Sequence, residues 1–260
     1  MEQPLLLTVD VGNTNVSLAV FDGPRRLAFW RLSTDRRRTA DEYRPLLTQL
    51  LGLIGLQPDG LDGVVVASVV PPVLSALVDA FRQMGVPAQV LTGERDFGIP
   101  VRYDPPTTVG ADRLANAIAV QALYGQPAII ADLGTATTID VLDRSGAYVG
   151  GAIAPGFEAS MEGLFSTAFQ LPRLDLGPPP AAIGRNTVDS IRSGGLFGWA
   201  GLVDGLIARF RAELEGGPHV VATGGLAPLV APYCREVQVV NEELTLEGLR
   251  LAHERLAPDR

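Results

Sequence analysis

LLLTVDVGNTNVSLAVFDG, residues 5–23, holds two apolar runs on either side of a polar turn that contains glycine. The first run, 5–9, ends at Asp10-Val11-Gly12-Asn13-Thr14; the second, 16–21, closes at Asp22-Gly23. Strand, turn, strand predicts an antiparallel hairpin, and residues 27–32 supply a third strand. Beyond Arg36-Arg37-Arg38, Thr39-Ala40-Asp41-Glu42 opens a helix whose apolar positions Tyr43, Leu46, Leu47, Leu50, Leu51 and Ile54 recur at intervals of three and four. The β-branched run 64–70 reads as a buried strand, and a helix over 72–85 with a strand at 89–91 continues the α/β alternation.

The same opening returns 122 residues later. Residues 128–131 form an apolar run ending at Asp132-Leu133-Gly134-Thr135; 138–142 resumes it, closes at Asp143-Arg144-Ser145-Gly146, and 147–153 follows. A strand at 219–222 leads into Thr223-Gly224-Gly225. Two Asp-x-Gly turns, each between apolar strands and each followed by threonine, predict a duplicated α/β unit that opens with a β-meander. The boundary is expected in or just after the helix over 112–123, giving domains 1–117 and 118–260, with 172–180 a Pro-rich loop.

Composition narrows the function. A chain of 260 residues with 47% hydrophobic residues buries a sizeable core, which excludes wholesale disorder. Net charge is −8, which argues against a polyanion-binding face and so against nucleic acid as partner. A small phosphate site built from backbone N–H groups needs no net positive charge. All 21 basic residues are arginine, so a P-loop lysine, a Schiff-base lysine and a lysine base are excluded. The single cysteine, Cys234, forms no internal disulfide and favours a reducing compartment. Two histidines are too few for the common zinc cages. Met1-Glu2-Gln3-Pro4 lacks a basic leader, and the most apolar stretch, 64–78, is broken by Pro71-Pro72. The expectation is a cytoplasmic protein with no membrane partner.

A tight turn between strands aims successive N–H groups at one spot. Gly12 and Gly134 admit close backbone approach, Thr14 and Thr135 add hydroxyls, and Asp10 and Asp132 can each face a cation. Two such turns facing one another would clamp a polyphosphate and its metal. The plain alternative is that both aspartates cap their turns.

The order and spacing of several motifs carry a resemblance. They are Asp10-Val11-Gly12-Asn13-Thr14-Asn15, Arg31-Leu32-Ser33-Thr34, Thr39-Ala40-Asp41-Glu42-Tyr43, Tyr103-Asp104-Pro105, Gly110-Ala111-Asp112-Arg113, Asp132-Leu133-Gly134-Thr135-Ala136-Thr137, Gly151-Ala152-Ile153-Ala154-Pro155-Gly156 and Thr223-Gly224-Gly225. The set resembles type III pantothenate kinases, within the acetate kinase, sugar kinase, Hsp70 and actin superfamily. The resemblance implies an α/β fold of two ribonuclease H-like domains, each a mixed β-sheet with flanking helices, with a cleft between them. It implies ATP-dependent phosphorylation of pantothenate to 4′-phosphopantothenate, with Mg²⁺, a monovalent cation (K⁺ or NH₄⁺), and a homodimer.

Residue by residue, the resemblance makes Asp112 the base that orients the substrate hydroxyl. Asp112 also opens a helix, so a plain N-cap explains it equally on residue type alone. Arg113 offers a fork for the pantothenate carboxylate, and Gly110, Ala111, Tyr103 and Thr187 complete the substrate set. Asp10, Val11, Gly12, Asn13, Thr14, Asn15, Val16 and Ser17 hold ATP with Gly134 and Thr135; Asp132 takes the monovalent cation, Asp10 faces Mg²⁺, and Gly224-Gly225 flanks the adenosine. Residues 186–214, apolar with small residues interspersed, are expected to pack partly against a second subunit. Two alternatives stand beside this reading: another small-molecule kinase on the same scaffold, and a non-enzymatic transcription-accessory protein.

Overall fold

In the computed structural model, residues 4–92, 98–167 and 177–256 are described; Met1-Glu2-Gln3 and most of the Pro-rich loop lie outside them. The first meander is β1 (Leu5–Val11), β2 (Asn15–Asp22) and β3 (Arg25–Ser33). Helix α1 (Ala40–Gly52), β4 (Gly63–Ser68), α2 (Pro71–Gln83) and β5 (Ala88–Leu91) follow. The sheet order is β3-β2-β1-β4-β5. β1 pairs antiparallel with β2 and parallel with β4.

After α3 (Ala111–Leu123), the second meander comprises β6 (Ala128–Leu133), β7 (Ala136–Leu142) and β8 (Tyr148–Pro155). Then come α4 (Phe157–Thr167), α5 (Thr187–Glu213), β9 (His219–Thr223), α6 (Ala227–Val230), β10 (Val239–Val240) and α7 (Leu244–Leu256). This sheet runs β10-β9-β6-β7-β8, with β6 antiparallel to β7 and parallel to β9. Listed from the meander edge, both sheets have one order: third, second and first strand, then two parallel strands. The duplication expected from the paired turns is therefore present in topology.

Each sheet buries one face under its own helices. In the first, Leu7, Val9, Val11, Leu18, Val64 and Val66 pack with Tyr43, Leu47 and Leu51 of α1 and Val73, Leu77 and Phe81 of α2. In the second, Ile129, Ala131, Leu133, Ile139 and Val220 pack with Trp199, Val203 and Ile207 of α5. Thr39 caps α1 through a reciprocal capping box with Glu42, as Thr-Ala-Asp-Glu suggests.

By contacts, the chain forms one unit from Met1–Ile99, Asp104–Ala119 and Leu244–Arg260, and another from Pro100–Tyr103 and Val120–Glu243. The units are thus not two consecutive blocks meeting at 117/118. The division falls within α3, and the last helix returns to the first unit. The reason is α7: its buried Leu244, Leu246, Leu249 and Ala252 pack onto β1, β2 and β4. Both meander strands also outrun their apolar runs. β1 continues through Asp10 and Val11, and β6 through Asp132 and Leu133, because each is a central strand paired on both sides.

Candidate active site

In the first unit, Asp10 is the penultimate residue of β1, opposite Ser17 of β2 and Ala67 of β4. Side chains alternate along a strand, and Val9 and Val11 belong to the core. Asp10 therefore stands on the other face, half-buried, at the end where the exposed turn begins. The turn closes with the Gly12 N–H donating to the Asn15 carbonyl at 2.9 Å. Asn13, Thr14 and Asn15 are exposed at its tip.

The Gly110-Ala111-Asp112-Arg113 segment also belongs to this unit and starts α3. The Leu114 N–H closes the first helical turn on the Gly110 carbonyl at 3.2 Å. Asp112 is the second residue within the helix, not the residue before it. One carboxylate oxygen, Oδ1, accepts from the N–H of Arg113 at 2.9 Å. The carboxylate folds back over residue 110, where a Cβ would overlap it, so a side chain there would turn the carboxylate away from this position. Arg113 is buried, while Asp112 remains half-buried.

In the second unit, Asp132 lies opposite Thr138 of β7 and Thr223 of β9. Its neighbours Ala131 and Leu133 face the core, so Asp132, like Asp10, projects from the opposite face. The Gly134 N–H donates to the Ala136 carbonyl at 3.1 Å, and Thr135 and Ala136 are exposed. Two later glycines press on this turn. A side chain at Gly156 would collide with the Thr135 carbonyl. Gly224 has φ +89, and a Cβ there would stand 2.5 Å from Asp132 Oδ1 and 2.6 Å from the Leu133 carbonyl carbon. Thr223 Oγ1 is buried beside this row with no hydrogen-bond partner among the described residues.

Tyr103 sits in a short segment that pairs with β8. The Arg102 N–H donates to the Tyr148 carbonyl at 2.8 Å, and the Tyr148 N–H to Pro100 at 2.9 Å. The Tyr103 ring meets Tyr148 edge-on at 6.2 Å. Tyr148, fully buried, donates its hydroxyl to Asp140 Oδ1 at 2.6 Å. Arg102 also pairs with Asp143 at 2.8 Å. Burial alone would raise the Asp143 pKa, but hydrogen bonds from the Ser145 hydroxyl, the Ala147 and Ser145 N–H groups and the Arg102 charge outweigh it and hold it below the ordinary value.

Thr187 opens α5, and Asn186, not Thr187, caps the helix by accepting from the Asp189 N–H at 2.9 Å. Thr187 instead lines a cavity of about 700 Å³ with Met161, Leu164, Ile191 and Trp199. Among the described residues no group of three or more His, Cys, Asp or Glu side chains could hold a metal ion. Each turn offers one carboxylate with hydroxyl and carbonyl oxygens nearby. Such a hard, sparse set suits Mg²⁺ carried by a phosphate, or K⁺, and not zinc. The single cysteine is no candidate nucleophile: burial, with Asp204 adding to it, pushes the Cys234 thiol up to about 12.

Sequence reasoning singled out the turns, Asp112-Arg113 and Tyr103. It missed what holds them: Thr34 and Arg36 on the first turn, Gly156 as a wedge on the second, and the Asp140–Tyr148 pair behind Tyr103. Two of these had a signal, the threonine that ends Arg31-Leu32-Ser33-Thr34 and the glycine that ends Ala152-Ile153-Ala154-Pro155-Gly156.

Comparison with known proteins bears on all of this. The family model for type III pantothenate kinase matches residues 6–209. A type III pantothenate kinase from Geobacter sulfurreducens is 47% identical over 252 residues, covering 96% of this chain and 99% of its own. One from Moorella thermoacetica is 46% identical with the same coverage. Among solved structures, the activator of the 2-hydroxyisocaproyl-CoA dehydratase from Clostridium difficile with bound ADPNP superposes with a TM-score of 0.59 at 15% identity, covering 96% of each chain. That last likeness is one of fold.

Proposed function

Because this chain belongs to the type III pantothenate kinase family, we propose how its residues divide the work of phosphorylating pantothenate. The reaction moves the terminal phosphoryl group of ATP to the primary hydroxyl of pantothenate, giving 4′-phosphopantothenate at the start of coenzyme A biosynthesis. The observation that carries this is similarity along nearly the whole chain to relatives that share the activity. It displaces both the sugar-kinase and the regulator alternatives.

Phosphoryl transfer passes through a loose transition state, so the protein's task is to position two oxygens in line and to neutralise spreading charge. Asp112 accepts the hydroxyl hydrogen of pantothenate and receives its proton late in the transfer. Its place inside the first turn of α3 supports this, since that helix end favours an anion. Arg113 meets the pantothenate carboxylate with Gly110 and Ala111 beside it, and Tyr103 and Thr187 donate hydroxyl hydrogen bonds to substrate. The turn from Asp10 to Ser17, with Gly134 and Thr135, binds the ATP phosphates; Asn13, Thr14, Asn15 and Thr135 are exposed and able to meet them. Asp10 takes the nucleotide's Mg²⁺, and Asp132 a monovalent cation, for which the orphan hydroxyl of Thr223 is a fitting neighbour. Bound there, the cations supply positive charge against the phosphates.

The chain works as a homodimer, with α5 at the contact. Gly194, Gly198, Gly201 and Gly205 lie along α5, exposed, and a Cβ at any of them would meet open space. An exposed helical glycine costs about 1 kcal/mol against alanine, and no contact among the described residues explains this series. Close approach of a second helix does.

The test is ADP release with pantothenate as acceptor, with and without K⁺. Pantothenate-dependent turnover that fails in Asp112→Asn is expected. Stimulation by a hexose or glycerol in place of pantothenate would overturn the substrate. Sedimentation of Gly198→Leu beside the parent tests the dimer: a shift toward monomer is expected, and an unchanged species counts against α5.

A further inference from the structure

Three residues of the first turn are gripped by one neighbouring segment. Thr34 follows β3; its N–H donates to the Thr14 carbonyl at 2.9 Å, and its hydroxyl to the Gly12 carbonyl at 2.7 Å. Two residues on, Arg36 Nη2 donates to the Asn13 side-chain oxygen at 3.2 Å. The carbonyls of Gly12 and Thr14 are thereby turned into this segment, and a guanidinium is parked at the exposed tip.

The neighbouring arginines are committed elsewhere. Arg37 pairs with Asp35 at 3.6 Å, and the Arg37 N–H, with burial opposing and the Arg37 and Arg38 charges adding, keeps that carboxyl below its ordinary pKa. Arg38 lies over the Tyr43 ring at 5.4 Å. Of the three, Arg36 is the one that holds the turn itself, through the neutral amide oxygen of Asn13. The chain has no lysine, so a permanently charged side-chain cation that meets a phosphate must be an arginine. A guanidinium spends one N–H on an amide oxygen and keeps its fork for an oxyanion.

We infer that Arg36 is the cation that meets the terminal phosphate of ATP at the first turn, and that Thr34 is the positioning residue that sets the turn's shape. This rests on the reading of that turn as the nucleotide site. Arg36 contributes charge-assisted hydrogen bonds to the oxygens on which charge accumulates, and it favours a triphosphate over a diphosphate.

The experiment compares Arg36→Gln, Arg36→Lys, Arg37→Gln and Asp10→Asn with the parent. It measures kcat, both KM values, and direct binding of ADP and a non-hydrolysable ATP analogue. For Arg36→Gln we expect KM for ATP to rise about tenfold, the ATP analogue to weaken more than ADP, and KM for pantothenate to hold. Arg36→Lys recovers part of the loss and Arg37→Gln stays within about twofold, as a solvated ion pair predicts. An equal loss in Arg37→Gln would show a general field effect and overturn the assignment. So would equal weakening of ADP and the ATP analogue. If Arg36→Gln behaves as the parent while Asp10→Asn needs more Mg²⁺ for half-maximal rate, the nucleotide turn stands and the role of Arg36 falls. If Asp10→Asn is also unaffected, both fall.

Discussion

The β1–β2 turn and the β6–β7 turn arise from one duplicated plan but are held by different means. Asp10 pairs across to Ser17 and Asp132 to Thr138, so the first turn is one residue longer. That extra residue gives the first turn a tip, Asn13-Thr14, which side chains and backbone of the Thr34–Arg36 segment hold by hydrogen bonds. The shorter second turn has no such tip and is held by contact, with Gly156 and Gly224 pressed against its backbone. A hydrogen-bonded loop can be retuned one bond at a time. A loop wedged by backbone contacts tolerates almost no added atom. The acidic residue that we propose acts on the alcohol, Asp112, belongs to neither turn but to the start of α3.

The largest effect tests that last point. Asp112→Asn is isosteric and removes the charge; we expect kcat to fall by about 10²–10⁴ with KM for ATP little changed. A variant that lost ATP affinity instead would return Asp112 to the nucleotide site. Next, Gly156→Ala drives a methyl into the Thr135 carbonyl, whereas Gly12→Ala places a Cβ 3.3 Å from the Asn15 carbonyl, a gap small shifts can relieve. Denaturant unfolding should show a loss of about 2–4 kcal/mol for the first and under about 1 kcal/mol for the second. Equal losses would end the distinction between a wedged and a bonded turn.

Much of this was legible in residue order. Strand runs flanking Asp-x-Gly twice over imply the two meanders, because a central strand needs apolar residues and its turn needs glycine. Asp112 and Arg113 stand out through the resemblance carried by Gly110-Ala111-Asp112-Arg113, since residue type alone left a plain N-cap equally open. The return of α7 was not legible: Leu244, Leu246, Leu249 and Ala252 show an amphipathic helix but not which sheet it covers. The supports of each site were hidden for a similar reason. Thr34 and Gly12 are distant in sequence, as are Gly156 and Thr135, and close approach of backbones leaves no pattern until the strands are in register.

The cations sharpen the comparison from another side. Asp10→Asn is expected to raise the Mg²⁺ requirement, and Asp132→Asn to blunt activation by K⁺, each by about tenfold in the concentration giving half-maximal rate. Titrating both ions against both variants separates the turns. A crossed result, with Asp132→Asn sensitive to Mg²⁺ alone, would exchange their roles.

The smallest effect concerns the tether of Tyr103, which the second unit holds through Arg102 and Asp143 much as the first unit holds Asn13 through Arg36. Asp143→Asn keeps the shape of the side chain but loses the ion pair and weakens the bonds from Ser145 and Ala147. At neutral pH this should cost roughly 1–2 kcal/mol and raise KM for pantothenate about two- to threefold, with kcat unchanged. The folded pKa of Asp143 is depressed below the ordinary 3.8. Its contribution is therefore complete above the unfolded value and disappears as pH falls through the folded one. Unfolding free energies of parent and variant should run parallel above about pH 5 and converge below about pH 4. Curves that stay parallel into acid would mean that the carboxylate's charge contributes nothing, and that Tyr103 is held by its strand pairing and by Tyr148 alone.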